Sequence, residues 1–132
     1  MITTHRVRDP IHGMIYYSDL EEAVINTPVV QRLRGIKQLA LTEYAYPGAK
    51  HSRFEHSLGT MHIAGRLAKK VGLSEEECND VRLAALLHDL GHGPFSHVPE
   101  PCLREFSPGT HGVTEEIHEQ VTVTLISSDG YL

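Results

Sequence analysis

The sequence predicts a mainly α-helical domain with a short extended segment at its N-terminus, and three observations carry that reading. Two stretches, from Ser52 to Val71 and from Ser74 to about Asp89, repeat apolar residues at three- and four-residue steps. Ser18–Glu21 and Ser74–Glu77 have the spacing of capping boxes, in which hydroxyl and carboxylate reciprocally satisfy N–H groups at a helix start. The opening stretch from Thr4 to Tyr17 instead mixes Val7, Ile11, Ile15 and Tyr16 with Asp9-Pro10 and His12-Gly13, the mark of short extended pieces joined by a turn.

Each further element follows in order. The helix after Ser18 should end near Asn26. Thr27-Pro28 offers a second start, with Thr as N-cap and Pro where its missing N–H costs nothing, and Val29, Val30, Leu33 and Ile36 as the apolar stripe. Residues 38–48 end in Pro47-Gly48 and favour irregular chain. In the long helix that follows, Phe54, Leu58, Met61, Ala64, Leu67, Ala68 and Val71 form the expected buried side, and Gly72 stops it. The next helix delivers His88 and Asp89 at its C-terminal end, with Gly91 available to end it. Residues 92–113 are too rich in Pro, Gly and His for a long helix, and a long loop of this kind is often functional. Thr114 can cap a last helix with Ile117, Val121 and Leu125 on its apolar side.

Composition narrows the function. With 132 residues, 40% apolar and 22% charged, the chain suits one soluble domain spanning 1–132. A net charge of −5 disfavours a broad nucleic-acid face, which draws its affinity from clustered cations. No apolar run approaches the roughly 20 residues of a membrane span, and no signal peptide is visible, so a cytoplasmic protein is expected. Cys78 and Cys102 have no CxxC partner and read as packing residues.

The chain carries ten histidines, and His51, His56, His88, His92, His97 and His118 fall in or near the patterned stretches. A divalent metal used in catalysis needs a few imidazoles and carboxylates converging from different elements with a position left open. His56 on one helix and His88-Asp89 at the end of another meet that need, whereas any one of them alone would read as a core or capping residue.

The blocks Asp9-Pro10-Ile11-His12-Gly13, Gln31-Arg32-Leu33-Arg34, Ile36-Lys37-Gln38-Leu39, Pro47-Gly48-Ala49, Arg53-Phe54-Glu55-His56-Ser57-Leu58-Gly59, His88-Asp89-Leu90-Gly91-His92-Gly93-Pro94-Phe95-Ser96-His97 and His118-Glu119-Gln120 together resemble the HD-domain dNTP triphosphohydrolases of the sterile-alpha-motif and HD-domain type. The resemblance implies the HD helical fold and hydrolysis of a deoxynucleoside triphosphate to nucleoside and triphosphate. It makes His56, His88 and Asp89 ligands of one divalent ion (Fe, Mn, Mg or Zn). A fourth ligand, an Asp on a later helix, has no counterpart, since Asp129 sits in a turn-like Ser-Ser-Asp-Gly; the chain is therefore expected to be the N-terminal, truncated portion of the domain.

By the same resemblance His92, His97 and His118 surround the phosphates, and Arg53 neutralises phosphate oxygens. Gln38 and Leu39 contact the sugar. Glu100 stands where the family has the Asp that partners the last histidine of HGPFSH. Asn26, Gln31 and Arg34 match a regulatory guanine-nucleotide site, but Asn26 replaces its Asp; an amide oxygen accepts less well from guanine than a carboxylate, so guanine-nucleotide activation is expected to be absent or altered. The expected partners are a nucleotide substrate and further copies of the chain in a homo-oligomer, with no membrane. Two alternatives stay open: a nucleotide-binding or regulatory HD module without turnover, and an inactive fragment of the enzyme.

Overall fold

In the computed structural model, which describes residues 5–106 and 117–128, β1 (His5–Asp9) and β2 (Gly13–Tyr17) form an antiparallel hairpin with Val7 opposite Ile15. Asp9 Oδ1 closes its turn by accepting from the N–H groups of Ile11 and His12 at 2.8 and 2.7 Å. Gly13 completes it at φ +75°, a conformation glycine adopts without steric cost. Ile15 is fully buried and ties the hairpin to the helical core.

Helix α1 (Asp19–Ile25) begins in the expected capping box at Ser18 and ends at Asn26. Its Glu21 also works at long range: only 1% exposed, it accepts from Arg82 Nε at 2.6 Å and from Arg82 Nη2 at 3.1 Å, besides the Ser18 N–H at 2.8 Å. Removing the cation strands a buried carboxylate, so Arg82→Ala is expected to cost about 3 kcal/mol or more. A urea melt would check this, and a midpoint equal to that of the parent chain would refute it.

The second start yields less helix than expected. Helix α2 is one turn, Pro28–Gln31, continued as a 3-10 turn over Arg32–Gly35. The Thr27 hydroxyl does not cap it, donating instead to the Val24 carbonyl at 2.8 Å. Val29, Val30, Leu33 and Ile36 are nonetheless buried. The irregular connection includes a 3-10 turn at Thr42–Tyr44.

Helix α3 (Arg53–Lys70) starts in a third capping box, Ser52–Glu55, and ends before Gly72 at φ +82°. Helix α4 (Glu75–Leu87) starts in the Ser74–Glu77 box. The two pack side by side, and Phe54, Leu58 and Met61 join Leu86, Leu90, Val30 and Leu33 in one core. Burying each such side chain contributes roughly 1.5–3 kcal/mol. Leu67 and Val71 are exposed, not buried as the sequence pattern suggested, because the contact with α4 and the hairpin turns that side of α3 away from the core.

Two features of the region after Gly91 depart from expectation. Glu100–Phe106 forms a short helix, α5, inside the segment read as loop. Helix α6 (Ile117–Ser127) buries Ile117 and Thr122, while Val121 is exposed; its docking register follows a polar contact with Gly91 described below. Cys78 is buried, but Cys102 is exposed and is no packing residue. Thr114 and Asp129 lie outside the described residues. No helix among the described residues is long and apolar enough to cross a membrane.

Candidate metal and phosphate site

The first turn of α3 and the last turn of α4 meet at one end of the helix pair. His56 projects from α3, His88 is the C-terminal cap of α4, and Asp89 follows it. His56 Nε2 lies 3.3 Å from His88 Nε2 and 3.6 Å from Asp89 Oδ2, and His88 Nε2 lies 3.2 Å from Asp89 Oδ1. Ligand bonds of about 2.0–2.2 Å place neighbouring donor atoms roughly 3.0–3.6 Å apart, so the two imidazole nitrogens and one oxygen of the Asp89 carboxylate can share one divalent ion. The tautomer agrees: His88 Nδ1 is 2.8 Å from the Ala85 carbonyl and donates to it, which leaves the Nε2 lone pair facing the other ligands. Burial, the largest influence, holds the His56 pKa below its ordinary value, opposed by Asp89; a metal-binding imidazole is neutral.

Arg53 stands in the first turn of α3, next to the triad. It is 3% exposed, and its Nη1 donates to Asp89 Oδ2 at 2.5 Å while Nη2 donates to the Ser96 hydroxyl. Arg53 therefore orients the carboxylate of the triad. Arg32, to which no role was assigned, donates from Nη2 to the Leu90 carbonyl at 2.6 Å and fastens the turn carrying Asp89.

The structure brings His92, His97, Glu100 and His118 together beside this triad. The His92 and His118 rings stack with centroids 3.8 Å apart, and His97 stands edge-on to both. Glu100 Oε1 lies 2.9 Å from His97 Nδ1 and 2.9 Å from His118 Nδ1. One buried carboxylate thus accepts from two imidazoles, and the longer Glu side chain spans both. Their Nε2 atoms remain for a ligand, as base when neutral and as acid when charged. His92, 2% exposed, has its pKa pushed down to about 3, by burial first and then by Arg53 and His118. It is neutral at physiological pH, and Nδ1 has no partner among the described residues. One donor atom from each of the four residues falls within 4.8 Å of the others.

Gln38 and Leu39 lie on the loop after the 3-10 turn at Arg32–Gly35. Gln38 Oε1 is 2.6 Å from His51 Nε2, and Leu39 is exposed. A cleft of about 610 Å³ opens here, between the hairpin turn and α3, with Gln38, His51 and His56 in its wall. The three residues matched to a regulatory nucleotide site bond locally. Asn26 Nδ2 donates to Glu22 at 3.1 Å, Gln31 Nε2 to the Ile25 carbonyl at 2.8 Å, and Arg34 Nε to Gln31 Oε1 at 2.7 Å, with its guanidinium 3.7 Å above Phe54.

The missed residues are Arg32, Ser96 and the pair Gly91–Thr122. The Gly91 N–H donates to Thr122 Oγ1 at 2.7 Å, which seats α6 against the turn after Asp89. Ser96 and Gly91 stand inside the motif that runs from His88 to His97, and Gly91 was expected only to end a helix; their long-range contacts arise in the folded chain.

A helical fold with a His/His-Asp triad at the junction of two helices defines an HD domain. The HD domain family matches residues 53–132, and the chain belongs to it. The deoxynucleoside triphosphate triphosphohydrolases SAMHD1 of Bos taurus and Homo sapiens are each 44% identical over 94% of this chain, covering 22% and 21% of their own length. An uncharacterized protein of Methanocaldococcus jannaschii is 51% identical over 73% of this chain and 21% of its own. The crystal structure of a hypothetical protein from Aquifex aeolicus matches with a TM-score of 0.75 at 39% identity, over 92% of this chain and 30% of that one. The chain thus spans about a fifth of the length of the curated relatives.

Proposed function

We propose that this chain is the N-terminal portion of a metal-dependent phosphohydrolase acting on nucleotides, hydrolysing a deoxynucleoside triphosphate to nucleoside and triphosphate. The observation that carries this reading is the placement of a three-ligand triad, His56, His88 and Asp89, directly beside the His92/His97/His118 group braced by Glu100. A divalent ion (Fe, Mn, Mg or Zn) in the triad supplies Lewis acidity where negative charge develops on phosphate. The protein's own groups do the rest. Arg53 fixes Asp89, and the free nitrogens of His97 and His118 face the phosphate side. Water adds to the α-phosphorus as the P–O5′ bond breaks; His97, braced at Nδ1, gives its Nε2 proton to the departing 5′-oxygen of the nucleoside, and neutral His92 orients phosphate oxygens. Gln38, in the cleft wall, and the exposed Leu39 next to it pack on the sugar.

The three ligands leave further positions on the ion for water, phosphate or another ligand, and a homo-oligomer is the assembly we propose. The relatives favour a triphosphate substrate, being named deoxynucleoside triphosphate triphosphohydrolases. Chromatography of the products from a dNTP incubated with the chain and Mn²⁺ tests this. Nucleoside and triphosphate in equal amounts support the reading. Nucleotide binding without products would leave the HD fold as a binding module.

Two results are expected of the active protein. Glu100→Gln removes the acceptor shared by two imidazoles, so kcat should fall about a hundredfold, the scale of a lost acid–base group, with KM little changed; an unaltered kcat would dismiss the assignment. Adding GTP should leave activity unchanged, because Asn26 offers guanine an amide rather than a carboxylate. GTP-driven assembly would contradict it.

A further inference from the structure

Ser96 sits where three parts of the site meet. Its hydroxyl has one proton to give, and gives it to the Gln38 carbonyl at 2.6 Å. The same oxygen accepts from Arg53 Nη2, and Arg53 Nη1 holds Asp89. Ser96, Arg53 and Asp89 are all buried. Phe95 and Ser96 are successive residues in left-handed backbone, φ +65° and +59°, where L-residues other than Asn and Asp seldom stay unless held. The Phe95 side chain is exposed; the turn is held by backbone bonds from the Ser96 N–H to the Gly93 carbonyl at 3.4 Å and from the Val98 N–H to the Phe95 carbonyl at 3.1 Å, and the Ser96 hydroxyl is the side-chain group that ties it to Gln38 and Arg53. His97, the next residue, then reaches Glu100.

We infer that Ser96 is a positioning residue whose single hydroxyl ties the Gln38–Leu39 loop to the Arg53–Asp89 pair, setting the metal ligand and the sugar-side loop together. The part about the sugar rests on the hydrolase reading; the linkage itself rests on geometry alone. No role in the chemistry is assigned to the hydroxyl.

Ser96→Gly separates hydroxyl from backbone, because glycine occupies positive φ without strain; Ser96→Ala removes the hydroxyl and keeps Cβ. The substrate- and metal-free readout is exchange of the Arg53 guanidinium protons by NMR in the full chain. They should exchange at least tenfold more slowly than those of exposed Arg66, and the protection should disappear in Ser96→Gly. Mn²⁺ should bind at least tenfold more weakly to the variant. With dNTP and NTP as substrates, kcat/KM for the deoxy form should fall more than fivefold relative to the ribo form, a change that loss of stability alone would not produce. If the parent chain hydrolyses no nucleotide, the hydrolase reading falls, and the exchange measurement still decides for Ser96. Unchanged Arg53 protection in a folded Ser96→Gly or Ser96→Ala protein overturns the inference. Should neither variant fold, Arg53 protons of the parent exchanging as fast as those of Arg66 overturn it, and slow exchange supports it.

Discussion

Gly91→Ala is expected to destabilise the chain by about 3 kcal/mol, the upper end for an overpacked contact, and to reduce turnover by at least about a hundredfold, as misplacement by an ångström does. A Cβ at Gly91 would stand 2.1 Å from the His118 carbonyl oxygen and 2.6 Å from the Thr122 backbone nitrogen. Both neighbours are backbone atoms of α6, so no rotamer change can relieve the overlap, and the helix must move. His118 then leaves its place beside Glu100 and over the His92 ring. Thr122→Ala, which removes the hydrogen bond from the Gly91 N–H and the long one, 3.5 Å, to the His88 carbonyl, should cost about 1 kcal/mol. Urea melts of both variants check the contrast. Equal, small losses would mean that α6 does not lie against Gly91.

Asp89→Asn has the second large effect, and it acts on two links at once. The buried guanidinium of Arg53 loses its counter-charge, and breaking such a pair costs about 3–5 kcal/mol. The triad also loses its only carboxylate among the described residues. Outer-shell partners of metal ligands are worth about 10–100-fold in affinity or activity, so removing this ligand should lower Mn²⁺ affinity by more than about a hundredfold. Calorimetric titration with Mn²⁺ and a thermal melt separate the two consequences. A variant that keeps the parent's metal affinity would show that Asp89 serves Arg53 alone.

Local chemistry made much of the fold legible in the sequence. The capping boxes at Ser18 and Ser74, the Asp9-to-Gly13 turn and the stop at Gly72 each depend on residues a few positions apart, and each element begins or ends where those residues say. A helix does start after Thr27 with Pro28 in its first turn, but the Thr27 hydroxyl donates to the Val24 carbonyl rather than capping it. The burial of Thr122 in place of Val121 came from a contact with Gly91, on another element. Leu67 and Val71 followed helical spacing but found no covering partner among the described residues. Spacing shows that a face is apolar, not what covers it.

The site divides the same way. His56 and the His88-Asp89 pair could be placed at helix ends from the pattern alone, and the family resemblance added the remaining histidines and Glu100. What could not be read was the work done across the chain by ordinary residues. Arg53 was expected to face phosphate, and its bonds to Asp89 and Ser96 add a second task that no local pattern announces. Arg32 and Ser96 hold turns that lie more than fifty positions away in sequence, and such pairings exist only once the helices have packed.

The central claim is that His56, His88 and Asp89 form the ligand set of a divalent ion in an HD domain. Elemental analysis of the purified chain, with His88→Ala as its control, tests it most directly. The account predicts near one equivalent of metal in the parent chain and its loss in the variant; equal metal content in both, or none in either, would contradict it.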